Sequence, residues 1–311
     1  MKGIIWFILL ALFAQVLIAE DQQGNKTGVS ASNELILQVS SLPEMKLGYT
    51  RRYGFPFLQG ESPLTENNDI GLALSAEISP LSLNGVAEAV WTPIAFFQLA
   101  AGGRIGSGWN IELFGGKSYG IGINRADING NAEVSGSAFD GLLWKAQMGV
   151  ALQADTAAIF PGDWNHVVVR SYHEFNHKGY SRAGKNESWY FENDDGENCN
   201  GFNYYGNFLL GYQMPIFFNL VAFLAEMDLY LYDTPGRGNW GDDMVRWTFS
   251  GILGFKINEK FGITLITQIR TRRNFNESNW KDLYYRCRTV RTSNKQHLEF
   301  YRVAAALVYK F

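Results

Sequence analysis

The chain has 311 residues, enough for one sizeable domain or two small ones. A net charge of −3 with no long basic run argues against a nucleic-acid partner, and two cysteines are too few for a disulfide scaffold. The 33 glycines, 8 prolines and 15% aromatics, with slightly negative mean hydropathy, suit a sheet in which only alternate residues meet an apolar medium.

Lys2 and the apolar run at residues 4–18 read as a signal peptide, residues 1–19, cleaved after Ala19. Leu17 is less suited than a small residue to its place before the cut. The alternative is an uncleaved anchor, for which the run is short. No cysteine stands at the cleavage point, so lipid attachment is not expected. No later run of 18 apolar residues occurs, so a chain that spans a membrane must do so with strands. Residues 20–32 are a polar lead-in, and residues 33–311 form the domain.

From there a period of two dominates, placing successive side chains on opposite faces of strands. Residues 34–52 read as one strand, with Leu35, Leu37, Val39, Met45, Leu47 and Tyr49 on one face and Pro43 leaving the frame intact. A Gly/Pro/Asn-rich loop, 54–68, follows. In 70–91 the apolar face changes from even to odd at Pro80, which means a bulge in one strand or a tight turn between two. After a turn at Thr92-Pro93, the strand at 95–106 puts Leu99, Ala101 and Ile105 outward and Arg104 inward. Residues 107–137 are a long loop with room for a hairpin.

Residues 141–155 alternate cleanly, and 164–178 more weakly, with Val167, Val169 and Phe175 opposite His166, Arg170 and Glu174. Strong strands surround Phe208, Phe223, Phe249 and Leu265. In the last strand, 298–311, Tyr301, Val303, Ala305, Leu307, Tyr309 and Phe311 share an apolar face. Inward faces look mixed and polar, too poor in Leu, Ile and Val to pack a core. Short turns near Pro93, Pro161, Pro215 and Glu259 alternate with long polar loops.

The last strand, ending on Phe311, resembles that of outer-membrane β-barrel proteins of diderm bacteria; no individual family is indicated. The resemblance implies an all-β, transmembrane, antiparallel barrel with short periplasmic turns and long outer loops. It implies export to the outer membrane and a periplasmic N-terminus. It also implies contact with lipid and a lipopolysaccharide-type outer leaflet, and recognition of the Phe311 strand by the barrel-assembly machinery. No cofactor is expected. The count gives about ten strands; splitting at both Pro43 and Pro80 gives twelve with the same parity.

Four inward charges, Glu226, Asp228, Arg246 and Arg270, should lie at similar height on neighbouring strands and pair, because unpaired ions in a narrow lumen are costly. They read as a structural plug or as a selectivity or proteolytic site. A barrel of eight to ten strands is about filled by its side chains. Cys199 follows the acidic residues Glu192, Asp194, Asp195 and Glu197, while Cys287 lies between Arg286 and Arg288 on the same side of the membrane. They can form a disulfide between surface loops or remain thiols.

His173 or His177 with Asp242-Asp243 supply the residue types of an omptin-like hydrolase at the barrel rim. The Asp-x-His spacing of that family is missing, as is the His-x-Ser of an outer-membrane phospholipase, so no catalytic residue is assigned. Asp127, Asn129, Asn131 and Glu133 alternate as in a calcium loop, but Ala132 and Ala138 stand at key positions, and no metal is expected. Loop aromatics including Trp189, Trp240, Trp280, Tyr284 and Tyr285 suit loop packing or ligand contact. The expected protein is a surface-exposed structural or binding barrel, or a narrow small-solute pore, without catalysis.

Overall fold

A computed structural model describes residues 28–42, 44–113, 116–192, 194–231 and 240–311. The signal-peptide reading and Pro43 lie outside the described residues. The strands are β1 (Ser30–Ser40), β2 (Met45–Pro56), β3 (Asp69–Ile78), β4 (Ser82–Ile94), β5 (Phe97–Gly108), β6 (Ile111–Leu113), β7 (Gly116–Ser118), β8 (Ile121–Ala126) and β9 (Ala132–Ser135). They continue as β10 (Leu143–Asp155), β11 (His166–Tyr180), β12 (Ser188–Phe191), β13 (Asn198–Cys199), β14 (Gly201–Gln213), β15 (Phe218–Tyr230), β16 (Arg246–Lys256), β17 (Phe261–Arg273) and β18 (Gln296–Lys310).

Twelve of these strands close an antiparallel barrel, in the order β1-β18-β17-β16-β15-β14-β11-β10-β5-β4-β3-β2. Closure through β1 and β18, with Leu35 opposite Tyr309 and Leu37 opposite Leu307, removes the exposed edges that an open sheet would present.

The count is therefore twelve, and the ten-strand reading is corrected at its first two segments. Residues 34–52 are not one strand but the hairpin β1–β2. Its register pairs Leu35 with Tyr49, Leu37 with Leu47 and Val39 with Met45, odd with odd, so the turn leaves the frame intact. Pro80 lies in a turn: β3 and β4 pair Ile78 with Leu83 and Leu74 with Ala87, which is why the face changes from even to odd there.

The extra turns reverse one loop. Residues 57–68, expected among the long outer loops, sit at the opposite end of the barrel. There the Ala95 amide donates to the Leu64 carbonyl at 2.9 Å, and Asn68 Nδ2 donates to the Pro93 carbonyl at 2.6 Å. The start of β1 and the end of β18 lie at this same end, with Glu34 opposite Lys310.

The last strand contains a further correction. Its register against β17 slips so that Gln268 faces Arg302 but Ile269 faces Phe300, leaving Tyr301 as an extra residue. Such a bulge reverses the faces on one side of it. Tyr301 turns inward, 9% exposed, and Phe300 turns outward, 62% exposed.

The lumen is filled in two unlike halves. Along β14 to β18 and β1, Ile36, Leu209, Leu220, Ala222, Leu224, Ile252, Ile266, Ala304 and Ala306 form a buried apolar cluster. This overturns the expectation that inward faces cannot pack a core. Only β15 supplies a run, Leu220, Ala222 and Leu224; the other members are scattered over five further strands, so the cluster forms only when the barrel closes. Around β2 to β5, β10 and β11 the interior is ionic: Arg52–Glu34 at 3.6 Å, Arg104–Glu77 at 3.0 Å and Lys145–Glu174 at 2.7 Å. Burial of an aliphatic side chain is worth about 1.5–3 kcal/mol, whereas a buried ion pair roughly offsets its own desolvation, so the apolar half carries more of the stability.

The outward face is apolar, with aromatics at its two ends. Trp144, Phe202, Trp247 and Phe300 stand toward the long loops. Trp91, Trp164, Tyr212, Phe255, Phe261, Tyr309 and Phe311 stand toward the other end. At the long-loop end, β13, β12, β8 and β9 form a small separate sheet, and β6 with β7 a hairpin.

Candidate functional site: the mouth of the barrel

The site is built where the long loops fold over the lumen. Inward positions 226 and 228 of β15 face 248 and 246 of β16, and Thr248 faces Arg270 of β17. Antiparallel register alone thus brings Glu226, Asp228, Arg246 and Arg270 to one height. All four line one cavity of about 120 Å³, together with Asp194, Asp195 and Glu197 from the loop above.

They do not pair as one quartet. Asp228 Oδ2 lies 3.1 Å from Arg246 Nη2. Arg246 Nη1 also donates to the Tyr230 hydroxyl at 2.9 Å, and its guanidinium lies 4.1 Å from that ring's centre. Glu226 Oε1 accepts from the Tyr205 hydroxyl at 2.9 Å. Arg270 turns to the neighbouring strand, where its Nε donates to Glu299 at 2.7 Å. Arg272 shares the same Glu299 oxygen at 2.9 Å. The bulge at Tyr301 hid Glu299: extending the alternation of 301–311 backwards points it outward, yet in the barrel it faces Arg270. One oxygen of Glu226 and one of Asp228 are buried with no hydrogen-bond partner.

The lid over this cavity is held by polar and aromatic contacts. Glu197 accepts from Arg288 at 2.9 Å and pairs with Arg273, tying the loop 181–200 to the loop 274–295 and to the top of β17. Lys178, inside β11, donates to Asn198 at 2.9 Å and approaches the Tyr230 ring at 5.2 Å. Trp240 packs edge-on against Tyr285, ring centres 4.5 Å apart, and both are fully buried. Trp189 and Phe191 are buried in a second cluster with Ile121, Leu143 and Tyr180. The loop aromatics mostly pack the lid, and Trp280 lines the cavity.

On the ionic side, one residue reaches down from the lid. Glu192, just beyond β12, has Lys46 Nζ 3.0 Å from both carboxylate oxygens. It accepts from Ser82 Oγ at 2.5 Å and from Asn84 Nδ2 at 3.4 Å. Burial alone would raise its pKa; Lys46, Arg104 and the Ser82 hydroxyl outweigh burial and hold the carboxyl below the ordinary 4.5. Its φ of +50° is in the left-handed region, which costs a non-glycine residue about 1–2 kcal/mol. Glu192 thus acts as a latch between the lid and the tops of β2 and β4. The sequence showed it only as part of an acidic stretch.

Cys199 and Cys287 form no disulfide. Tyr285 occupies the place beside Cys199, with its hydroxyl 3.4 Å from Sγ, while Cys287, two residues further along, is exposed. Maleimide should label one thiol in the folded protein and two after denaturation, and reductant should leave electrophoretic mobility unchanged. A reductant-sensitive band with no reactive thiol would contradict this placement.

The residues weighed for hydrolysis are not gathered. His173 and His177 alternate with the buried Glu174, Asn176 and Lys178, and so face outward on β11. His173 meets the Tyr204 hydroxyl at 2.5 Å, and His177 stacks on Trp144 with ring centres 4.7 Å apart. Asp242 and Asp243 belong to the loop before β16. Asp127 accepts from the amides of Asn129 and Asn131 at 2.7 and 2.8 Å, closing its own turn. Among the described residues, no three His, Cys, Asp or Glu side chains gather as metal ligands.

No protein-family model matches the chain, and no curated protein matches it. Among solved structures it is similar to OmpF of Salmonella typhi, a structure in complex with daunomycin. The identity is 6% and the TM-score 0.29, over 91% of this chain and 97% of that one.

Proposed function

We propose that the chain is an outer-membrane β-barrel, exposed at the cell surface and without catalysis. Its lumen is closed at rest, and its mouth cavity takes a small solute. The observation that carries the closed reading is the filled lumen: an apolar cluster on one side, paired ions on the other and a latched lid above. The membrane reading rests on the outward face. Trp247 and Phe255 of β16 are eight residues apart, about 27 Å along a strand, or about 21 Å across a membrane at a tilt of about 40°. That is close to the apolar band of roughly 25 Å in transmembrane barrels. The aromatics at its two ends stand where the interfaces would be.

The refolded protein in a planar bilayer should give no steady conductance at neutral pH while migrating as a heat-modifiable band. Steady, ion-selective openings would overturn the closed reading and make the cavity charges a constriction. A second reading, a narrow gated pore, is favoured by the latch: Glu192 closes the mouth through an ion pair that can be broken. Hydrolysis of a peptide or lipid by the parent protein, lost on replacing Asp242 and Asp243, would overturn the non-catalytic reading.

A further inference from the structure

We infer that the mouth cavity is a binding site for a small zwitterion, a molecule carrying both an ammonium and a carboxylate group, such as a short amino acid. The inference rests on the reading of the mouth as a solute site and names the solute's chemistry.

The acidic wall comes from β15. Glu226 is 3% exposed and Asp228 7%, and each leaves one buried oxygen without a donor. A buried acceptor left in that state is costly, and a ligand with N–H donors restores what it lacks. The basic wall is on β17. Arg270 and Arg272 lie 2.6 and 2.9 Å from the same oxygen of Glu299, so two guanidiniums share one carboxylate and the wall keeps a net positive charge. The two walls are separated by one strand, on which the facing residue is the short Thr248. Two strand spacings put the backbones of Glu226 and Arg270 roughly 10 Å apart, with the cavity between their side chains.

A lone ammonium would satisfy one wall and meet like charge at the other, and a lone carboxylate would do the reverse. A molecule with both ends answers both. The cavity is well below the roughly 300–1,000 Å³ of drug-sized sites, which restricts the solute to a short chain. A divalent cation fits poorly, because no third ligand of the usual types joins the two carboxylates among the described residues.

Calorimetry on the full-length barrel in detergent tests this with glycine, β-alanine and γ-aminobutyrate, against propylamine and butyrate as single-charge controls. At least one amino acid should bind with a Kd tenfold or more below both controls. Glu226→Gln and Arg270→Gln should each weaken it tenfold or more. Thr248→Leu, which fills the gap while keeping every charge, should abolish it in a protein that is still heat-modifiable. Two outcomes overturn the inference: propylamine or butyrate binding as tightly as the amino acids, or no probe binding to the folded protein. Neither outcome bears on whether the lumen conducts, which the bilayer recording decides separately.

Discussion

Replacing Glu192 with glutamine should unlatch the lid and raise its open-to-closed ratio more than tenfold, read as faster amide exchange in β12 (Ser188–Phe191). The carboxylate is held by Lys46 at 3.0 Å, with Ser82 and Asn84 beside it. Removing one partner of a buried ion pair costs about 3–5 kcal/mol. Glutamine keeps the Ser82 contact, and Lys46 keeps Glu77 at 3.7 Å, so the net loss is about 2 kcal/mol. At about 1.4 kcal/mol per factor of ten, that exceeds one decade. The left-handed backbone at position 192 adds to the tendency to let go.

Acid should act in the same direction. The Glu192 pKa is held below its ordinary 4.5, so its contribution is complete above that value and is lost as the pH falls through the lower folded value. The facing charges are Lys46, Arg104 and Glu77. The wild-type lid should therefore stay latched at pH 5 and above and begin to loosen below 4.5, while the lid of Glu192→Gln should be loosened at every pH. A variant whose β12 amides exchange no faster than the parent's at neutral pH would show that the lid does not depend on this contact.

Leu224→Ala should destabilise the barrel by about 3 kcal/mol in urea unfolding followed by tryptophan fluorescence. Leu224 is 1% exposed at the centre of the lumen cluster, with Leu209, Ile252 and Ile266 in the same packed group. Truncating a buried leucine loses transfer energy and leaves a cavity, together about 2.7–5 kcal/mol in well-packed cores. The rigid surrounding wall leaves little room for collapse. A loss below about 1 kcal/mol would mean that water, not packing, fills this part of the lumen.

Much of the barrel was legible because one face of nearly every strand is apolar, and that signal is local. What escaped is non-local or symmetric. The β1–β2 turn pairs odd residues with odd, so a hairpin and a single strand give the same pattern. The bulge leaves no mark at Tyr301, because a tyrosine suits either face and only Gln268 and Ile269 across the sheet reveal the slip. Apart from Leu220, Ala222 and Leu224 on β15, the lumen cluster is drawn from five further strands and assembles only on closure.

At the site, register brought Glu226, Asp228, Arg246 and Arg270 to one cavity, as strand counting had placed them. Their partners Tyr205 and Glu299 depend on side-chain direction and on the bulge. Glu192 meets Lys46 across 146 residues of sequence, and no motif joins them. The same holds for Cys199 and Tyr285, 86 residues apart, where the flanking charges had pointed to Cys287 instead.

The central claim is a barrel whose outward face meets lipid and whose inside is filled. Nitroxide labels at Leu253, Leu265, Val303 and Leu307, each 38–42% exposed on the outward face, test it most directly in reconstituted vesicles. Collisions with oxygen should be frequent and collisions with a water-soluble nickel chelate rare at all four. A label at inward Ala306, 2% exposed, should meet neither. Free access of the nickel chelate to the four outward positions would mean that this face meets water, and the membrane account would fail.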